Sequence, residues 1–390
     1  MNTFAPVEQV LRSAAPHALL DVVTTALAAR YGARAVGLRL ADHLMRSLQA
    51  VEGVPGATVP VPLYGSPQGR AFGSQEPYAT EAGDADVEVH LPVTIRGDRL
   101  GVLTVLMGSG SYTEEARAEL LHLCEALGHE VLVAERDTDL YVLARRAARL
   151  TLAAELQWQL LPGCSCTRSE FSLGAHLEPA YAIFGDNYDW SACADHLTLT
   201  VTNGMGEGIE AALLTNLAVN ALRNARRAGL GLVGQASLAD QAVYAQYQGR
   251  AHVSVLLLRF DLHTGEVEAL DAGSPRLLRL RGRAVDTVSF DAQQPLGRFE
   301  GTVYETERFS VRSGDRLLFG SDGVYDVPSP AGERYGDRAL ARSLVANSLL
   351  PPSQVPDAVL RELAGHHGDE PLDDDALVVC LDWYGRSGRG

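Results

Sequence analysis

Residues 196–214 read HLTLTVTNGMGEGIEAALL, and this stretch decides the fold of the C-terminal half of the chain. Residues 196–202 alternate polar and apolar side chains, which predicts a strand with one buried face. Residues 209–227 are rich in alanine and predict a helix. The six residues between them include three glycines, so we expect the strand to pass into the helix through a turn.

The chain around this unit alternates strands and helices. Residues 253–260 and 266–272 predict a hairpin, and residues 316–319 and 376–381 predict short apolar strands. Helices are expected near 337–349 and 354–366. This inventory favours an α+β fold built in layers over about residues 163–390.

The N-terminal part predicts a separate strand-and-helix module. Apolar residues recur at helical spacing over residues 7–30, and Pro16 interrupts them. Strands are predicted at 35–40, 57–63, 87–95 and 100–107, the last two joined by a turn at 96–98. A helix should begin at Thr113, because two glutamates follow it at the positive end of the helix dipole.

Composition excludes several classes of function. The chain has 390 residues and a formal net charge of −16, which disfavours general binding to nucleic acid or to an anionic membrane. All 33 basic residues are arginine, so lysine-dependent catalysis is excluded. The five cysteines lack zinc-type spacing and are expected to be reduced. No stretch reads as a signal peptide or a membrane span, so we expect a cytoplasmic protein without membrane insertion.

A helical linker is predicted over residues 135–162. Apolar positions between Leu140 and Leu161 step alternately by three and four residues, with Gln157 as the polar exception. Such a seam is compatible with a two-stranded coiled coil that makes a homodimer, and equally with an amphipathic linker that packs within one chain. Pro162 and Gly163 should end the helix.

Acidic residues stand beside glycine where the predicted strands end. These places are GDNYD at 185–189, SDG at 321–323 and DDD at 373–375. Carboxylate and carbonyl oxygens are the ligands that Mg²⁺ and Mn²⁺ prefer. An Asp-Gly pair alone is typical of an ordinary turn. The assignment of these stretches to a metal site therefore depends on their order along the chain.

Seven ordered blocks resemble the SpoIIE/RsbU-type phosphatases of the PPM superfamily. They are LQWQLLP (156–162), EPAYAIFGDNYDW (178–190), TVTNGMGEGIEAALL (200–214), LDAGSPRLLRLRG (270–282), PLG (295–297), SGDRLLFGSDGVYD (313–326) and DDDALVV (373–379). The resemblance implies a sandwich of two antiparallel sheets flanked by helices, the αββα arrangement. It also implies two divalent ions, Mn²⁺ or Mg²⁺, that share a water and activate it for attack on phosphorus.

The same resemblance implies which residues form the site. Catalysis and metal binding would fall on Asp186, Asp322 and Asp374, and Gly204 would add a backbone carbonyl. Asn203 stands where the family has the aspartate that bridges the two ions. An amide oxygen carries no charge and its NH₂ cannot bind an ion, so the second ion is in doubt.

Further residues carry less defined expectations. Asp375 and Asp189 are either additional ligands or structural carboxylates. Phe184 replaces a family glycine and is expected to disturb the backbone, because glycine there would permit positive φ. Ser274 replaces a common histidine and Ser321 a threonine, and both changes are milder.

The N-terminal module, residues 1–134, resembles a GAF sensory domain, chiefly through LPVTIRGDRLGVLTVL and the helix that follows it. The resemblance implies a central antiparallel sheet, with a small molecule or a protein as ligand or with no ligand. The whole chain is then interpreted as a phosphoserine/phosphothreonine phosphatase acting on a phosphorylated STAS-domain anti-anti-sigma protein. The alternative hypothesis is a catalytically weakened pseudophosphatase that acts as a binding protein because of Asn203 and Phe184.

Overall fold

The computed structural model describes residues 5–51, 59–83, 85–179, 184–273, 275–368 and 372–386. The chain divides into an N-terminal unit, Met1–Arg149, and a C-terminal unit, Leu150–Gly390. No helix among these residues is long and apolar enough to cross a membrane. Ser274 lies outside the described residues, as do 57 and 58 of the strand predicted at 57–63.

The N-terminal unit is a six-stranded antiparallel sheet with the order β3-β2-β1-β6-β5-β4. Its elements are α1 (Ala5–Ser13), α2 (Leu19–Tyr31), β1 (Ala35–Ala41), β2 (Ser47–Ala50), β3 (Val61–Pro62), α3 (Pro67–Ser74), β4 (Tyr78–Glu81), β5 (Asp86–Ile95), β6 (Asp98–Gly108), α4 (Glu114–Ala134) and α5 (Leu140–Ala144). Alternating residues of β5 and β6 form the main core with α1, α2 and α4. A smaller core lies on the other face, where Phe72 of α3 packs on Val102.

The C-terminal unit contains two antiparallel sheets. Its elements are α6 (Leu152–Leu160), β7 (Ser165–Thr167), β8 (Phe171–Glu178), β9 (Asp186–Ala192), β10 (His196–Gly204), α7 (Gly208–Arg227), α8 (Leu232–Tyr247), β11 (Val253–Asp261), β12 (Glu266–Ala272), β13 (Arg276–Arg281), β14 (Ala284–Val288), β15 (Glu307–Ser310), β16 (Asp315–Gly320), α9 (Asp322–Tyr325), α10 (Tyr335–Ala346), α11 (Val355–His367) and β17 (Ala376–Trp383). One sheet has the order β15-β12-β11-β10-β9 and the other β14-β13-β16-β17-β8-β7.

Three apolar layers hold the C-terminal unit together. The central layer joins the inner faces of both sheets, where Phe260 stacks on Trp383 at a centroid distance of 5.9 Å. A second layer lies between α7, α8 and the five-stranded sheet, and a third between α10, α11 and the six-stranded sheet. The predicted αββα arrangement is therefore the observed one, and the predicted helix at 209–227 is confirmed as α7.

The predicted helical linker over residues 135–162 is wrong as one continuous helix. Residues 145–151 are not helical, and they separate α5 from α6. Tyr141 of α5 is buried in the N-terminal core and donates a hydrogen bond to the carbonyl of Pro16 at 2.7 Å. Ala153 and Ala154 of α6 pack on Ala212 in the C-terminal unit. Of the residues at heptad spacing, Leu140 packs on the N-terminal core and Leu143 is exposed, whereas Ala154 and Leu161 pack in the C-terminal unit. They therefore form no continuous seam.

We expect limited proteolysis to cleave the native chain within residues 145–151. Each unit has its own apolar core, and the segment between α5 and α6 is non-helical, so it should be the most accessible backbone near the boundary. Brief digestion with an arginine-specific protease, followed by mass spectrometry, should give two stable fragments that meet in this segment. Cleavage inside α7 or β5 at the same rate would contradict the division into two units.

Candidate active site

The candidate site lies where both sheets of the C-terminal unit end. Asp186 is the first residue of β9, and Asn203 faces it at the end of β10. Asp322 follows β16 at the start of α9, and Asp374 precedes β17, the neighbour of β16. The structure therefore gathers the predicted residues from four elements that are distant in sequence.

Two sets of hydrogen bonds cross from one sheet to the other. Asn203 Nδ2 donates to Asp322 Oδ1 at 2.5 Å, which joins β10 to α9. The backbone N–H groups of Phe184 and Gly185 donate to Asp375 Oδ2 at 3.0 and 3.3 Å. Both sets connect the five-stranded sheet with the end of the six-stranded one, so the two halves of the site have a fixed relative position.

Asp186 is the most unusual carboxylate of the site. It is buried, and neither of its carboxylate oxygens has a well-aligned hydrogen-bond donor among the described residues. Burial raises its pKa well above the ordinary value, and the charges of Asp375, Asp322 and Asp374 raise it further. The nearby Ser321 hydroxyl offsets this only in part. Such a group is costly unless a proton or a cation neutralises it.

Asp322 and Asp374 share this environment. Burial raises the pKa of Asp374 to about 6, and the charge of Asp322 is the next contribution. Burial likewise raises the pKa of Asp322, while hydrogen bonds from Gly323 N–H and Asn203 lower it in part. Because the charges of Asp322 and Asp374 both act on Asp186, and that of Asp322 acts on Asp374, these carboxylates lie in one concentrated negative region.

Asp375 and Asp189 have structural contacts. Asp375 is fully buried, and its Oδ2 also accepts a hydrogen bond from Gln157 Nε2 of α6 at 2.9 Å. Asp189 pairs with Arg223 and Arg226 of α7 at 2.9 and 2.8 Å. Of the two alternatives for these carboxylates, the contacts favour the structural one.

The expectation that Phe184 disturbs the backbone is wrong. Positive φ falls instead on Gly185, at +99°, and Phe184 is not among the described residues with positive φ. A Cβ on Gly185 would lie 2.9 Å from the carbonyl oxygen of Gly204 and from Thr215 Oγ1. A Cβ on Gly204 would lie 2.2 Å from the same hydroxyl oxygen. Close packing of β9, β10 and α7 therefore requires these two glycines, and position 184 does not need the positive φ that a glycine would permit.

A cavity of about 250 Å³ adjoins the carboxylates. Its lining includes Asn203, Asp322, Ser254, His252 and Tyr325. His252 Nδ1 is buried and has no hydrogen-bond partner among the described residues. Burial and the nearby charge of Arg298 lower the pKa of His252, so its imidazole is neutral near pH 7.

Sequence reasoning missed His252, Ser254 and Tyr325 as parts of this cavity. Ser254 faces Asn203 across the β10–β11 pair. The predicted hairpin joins β11 to β12 and therefore says nothing about how β11 pairs with β10. Gln157 was visible as the polar exception in the linker seam. Its side chain reaches the carbonyl of Asp186 as well as Asp375, which explains a polar residue at that position.

The residues present do not fit a pair of ions bridged by a carboxylate. The amide NH₂ of Asn203 binds an oxygen of Asp322, the place where a bridging aspartate would share an ion. Among the described residues, no three His, Cys, Asp or Glu side chains form a ready-made metal cluster. The buried, unpartnered carboxylate of Asp186 beside Asp322 and Asp374 nevertheless has the hard oxygen donors that one Mg²⁺ or Mn²⁺ requires.

Comparison with known proteins agrees with the SpoIIE-type domain predicted for the C-terminal half of the chain. Residues 194–384 match the family model described as Stage II sporulation protein E (SpoIIE), which confirms a SpoIIE-type domain in the C-terminal unit. Protein IcfG of Synechocystis sp. (strain ATCC 27184 / PCC 6803 / Kazusa) is 20% identical over 331 residues, which are 78% of this chain and 49% of IcfG. The chain thus spans about half the length of that curated relative.

Solved structures also resemble the chain over about half of its length. The RsbU and RsbW domains of a Mycobacterium tuberculosis protein are 24% identical, with coverage of 56% of this chain and 61% of that one and a TM-score of 0.49. The SiaA PP2C domain of Pseudomonas aeruginosa is 21% identical, with coverage of 54% and 85% and a TM-score of 0.49.

We expect Asp186→Asn to stabilise the metal-free protein at about pH 7.5, by roughly 1–3 kcal/mol in the free energy of unfolding. The raised pKa of Asp186 means that the folded state binds a proton more tightly than the unfolded state. Wild-type stability therefore rises as pH falls through that pKa, and the advantage of the variant should shrink toward pH 5. Chemical denaturation in EDTA at both pH values measures the difference.

The matched control is Asp291→Asn, which removes the same charge from an exposed position. It should change the unfolding free energy by less than about 0.5 kcal/mol. A destabilised Asp186→Asn protein at the higher pH would contradict the assignment of an unneutralised buried carboxylate.

Proposed function

We propose that the C-terminal unit is a divalent-metal-dependent protein phosphatase of the SpoIIE/RsbU type that hydrolyses phosphoserine or phosphothreonine. The observation that carries the proposal is the buried carboxylate of Asp186, unpartnered among the described residues and grouped with Asp322 and Asp374. The charges of Asp322 and Asp374 raise the pKa of Asp186, and that of Asp322 raises the pKa of Asp374, so a cation beside the three would stabilise them as anions. The match of residues 194–384 to the SpoIIE family supports the same activity.

The chain's own residues would prepare the site in defined ways. Asp186, Asp322 and Asp374 would hold one Mn²⁺ or Mg²⁺, which supplies charge neutralisation and an activated water when bound. Asp375 and Gln157 fix the backbone at Phe184 and Gly185 and thereby set the position of Asp186. The cavity beside Asp322 would admit the phosphoryl group, and the neutral ring of His252 is available there to hydrogen-bond to its oxygens.

One observation favours a second candidate function, a weakly active or inactive protein that binds its partner without turnover. Asn203 donates to Asp322, so the amide ties up an oxygen that the ion needs and cannot bridge two ions. At an effective dielectric constant of 20, one missing charge at 4 Å corresponds to about 4 kcal/mol. The two candidates share the site and differ in turnover.

The proposal also covers the identity of the substrate and the regulation of the phosphatase by the N-terminal unit. The substrate would be a phosphorylated STAS-domain anti-anti-sigma protein of a partner-switching pathway, as the SpoIIE family match supports. The N-terminal unit would act as a GAF-like sensory domain that takes a small molecule or a protein. Its single antiparallel sheet with helices on both faces supports that assignment.

A homodimer is also part of the proposal, although the break between α5 and α6 leaves it no continuous heptad seam. Sedimentation velocity of the full chain decides this point. A monomer at all accessible concentrations would remove the dimer and leave the site unaffected.

We expect wild-type protein to hydrolyse a generic phosphate ester and a phosphoserine STAS protein slowly, and only with Mn²⁺ or Mg²⁺. Asn203→Asp should raise Mn²⁺ affinity and the rate by about tenfold or more, because it restores a carboxylate between two ions and frees Asp322. Isothermal titration with Mn²⁺ and initial-rate measurements check both quantities.

The control is Asn203→Asp combined with Asp322→Asn, which should abolish the gain because the restored carboxylate then lacks its neighbouring ligand. Silence of wild type with activity of Asn203→Asp would favour the binding protein. If none of these proteins binds Mn²⁺ or turns over, the phosphatase assignment is wrong.

A further inference from the structure

The C-terminal unit contains a second cavity, of about 320 Å³, on the helix-covered side of the five-stranded sheet. Its lining residues include Arg226, Arg227, Arg259 and His196, and no aspartate or glutamate. The whole chain carries 49 acidic and 33 basic residues, so a lining with three arginines and no acid is a local reversal of charge. An anion is the ligand that such a lining attracts.

The floor of the cavity is one row of side chains across three strands. Ser191 of β9 faces Thr198 of β10, and Thr198 faces Arg259 of β11. On this face of β11, Val255 and Leu257 are buried under α7 and α8. The next residue on this face, Arg259, is polar, and its row of side chains lines the cavity and is not covered by the helices.

The polar groups of this floor have no partners within the described part of the chain. Thr198 is 2% exposed, yet its hydroxyl makes no hydrogen bond there. No salt bridge of Arg227 or Arg259 occurs among the described residues, and both arginines are exposed. The Arg259 charge is nevertheless close enough to Asp195 to contribute to lowering the pKa of that carboxyl. The Thr198 oxygen opens into the cavity, where a water or a bound ligand can hydrogen-bond to it.

Arg259 and His196 also line a neighbouring cavity that contains four acids, and each of these acids has another partner. Asp261 accepts backbone hydrogen bonds from residues 263 and 264, and Glu266 pairs with Arg308 at 2.7 Å. Asp195 bonds to His196 Nδ1 at 2.7 Å, and Glu268, opposite Arg259 on β12, accepts a hydrogen bond from Thr306 at 2.9 Å. Arg226 is held by Asp189 at 2.8 Å. The positive charge available to a ligand therefore comes mainly from Arg227 and Arg259.

The N-terminus of α8 forms the opposite wall. Gly229, Leu230 and Gly231 line the cavity, and Gly231 is the N-cap of a 16-residue helix without a side-chain cap. The first N–H groups of such a helix are unpaired and attract negative charge. Leu230 adds an apolar surface that can contact the non-ionic part of a ligand.

From this arrangement we infer that the cavity is a binding site for a small organic anion, with a phosphate-type group on an apolar body. The anionic group would lie between Arg227, Arg259 and the start of α8, with Thr198 as a hydrogen-bond donor. The apolar body would contact Leu230. The volume is at the lower end for small-molecule sites, so the ligand has few atoms. The inference does not depend on the phosphatase activity.

The test uses the full chain in EDTA at low ionic strength, with phenylphosphonate as the probe, an anion on an apolar ring that phosphatases do not hydrolyse. Isothermal titration should show one ligand per chain. Arg227→Gln with Arg259→Gln should weaken binding by about tenfold or more, and Thr198→Val by several-fold. Arg283→Gln with Arg342→Gln is the matched control, since both arginines are exposed and the loss of charge is equal.

Cys193 gives an independent measurement. It lines the cavity and is exposed, whereas Cys124, Cys166 and Cys380 are buried and Cys164 is half-buried. Its alkylation by iodoacetamide, followed by peptide mass spectrometry, should slow when phenylphosphonate is present and not when benzyl alcohol is present. In Thr198→Val, a variant of nearly unchanged shape, the same protection should require a several-fold higher concentration of phenylphosphonate.

Several results would overturn the inference. They are the absence of saturable binding up to about 10 mM phenylphosphonate, equal weakening in the control pair, and unchanged alkylation of Cys193. Loss of binding after Asp322→Asn, with the cavity arginines intact, would assign the probe to the candidate active site instead. If the double arginine variant fails to fold, Thr198→Val and the Cys193 measurement decide.

Discussion

A single buried carboxylate, Asp375, connects the parts of the C-terminal unit that form the candidate site. Its Oδ2 accepts hydrogen bonds from Gln157 of α6 and from the backbone N–H groups of Phe184 and Gly185. Those contacts fix the entry to β9, and Asp186 is the first residue of that strand. Because Asp375 stands directly before β17, the same contacts join the two sheets. Together with the hydrogen bonds from Gly204 N–H and the Thr215 hydroxyl to the Gly185 carbonyl, this group sets the position of Asp186 between the sheets.

The consequence is a concentration of negative charge at Asp186, Asp322 and Asp374, with which no arginine or histidine of the described residues forms a salt bridge. Asp189, only three residues from Asp186, has two arginine partners, whereas Asp186 has none among the described residues. Asn203 partly offsets the unpaired negative charge by donating a hydrogen bond to Asp322. It does so from the position where the family resemblance implies a bridging aspartate. The same amide satisfies an oxygen of Asp322 in the metal-free site and, under the proposed function, would weaken the site as a dinuclear centre, so we expect stability and activity to be opposed at residue 203.

Much of the fold was predictable because its signals are local. The alanine-rich stretch at 209–227 and the hairpin at 253–272 follow from residue periodicity. The resemblance to SpoIIE/RsbU-type phosphatases selected Asp186, Asp322 and Asp374, and the structure brings them to the ends of the two sheets. The linker was not predictable in this way, since a three-four spacing does not say whether its residues pack on each other. Tyr141 packs in one core and Ala153 in another. The backbone effect assigned to Phe184 belongs to Gly185.

Other parts of the site depend on contacts between elements far apart in the sequence. The link from Gln157 to Asp375 spans 218 positions, and the bond from Asn203 to Asp322 spans 119. The polar row beneath the second cavity needs the register of three strands. The most direct test of the account is a crystal structure with Mn²⁺, using anomalous scattering to locate the ion. The account predicts a single anomalous peak bounded by Asp186, Asp322 and Asp374. No peak there at millimolar Mn²⁺, or two ions bridged beside an unchanged Asn203, would contradict it.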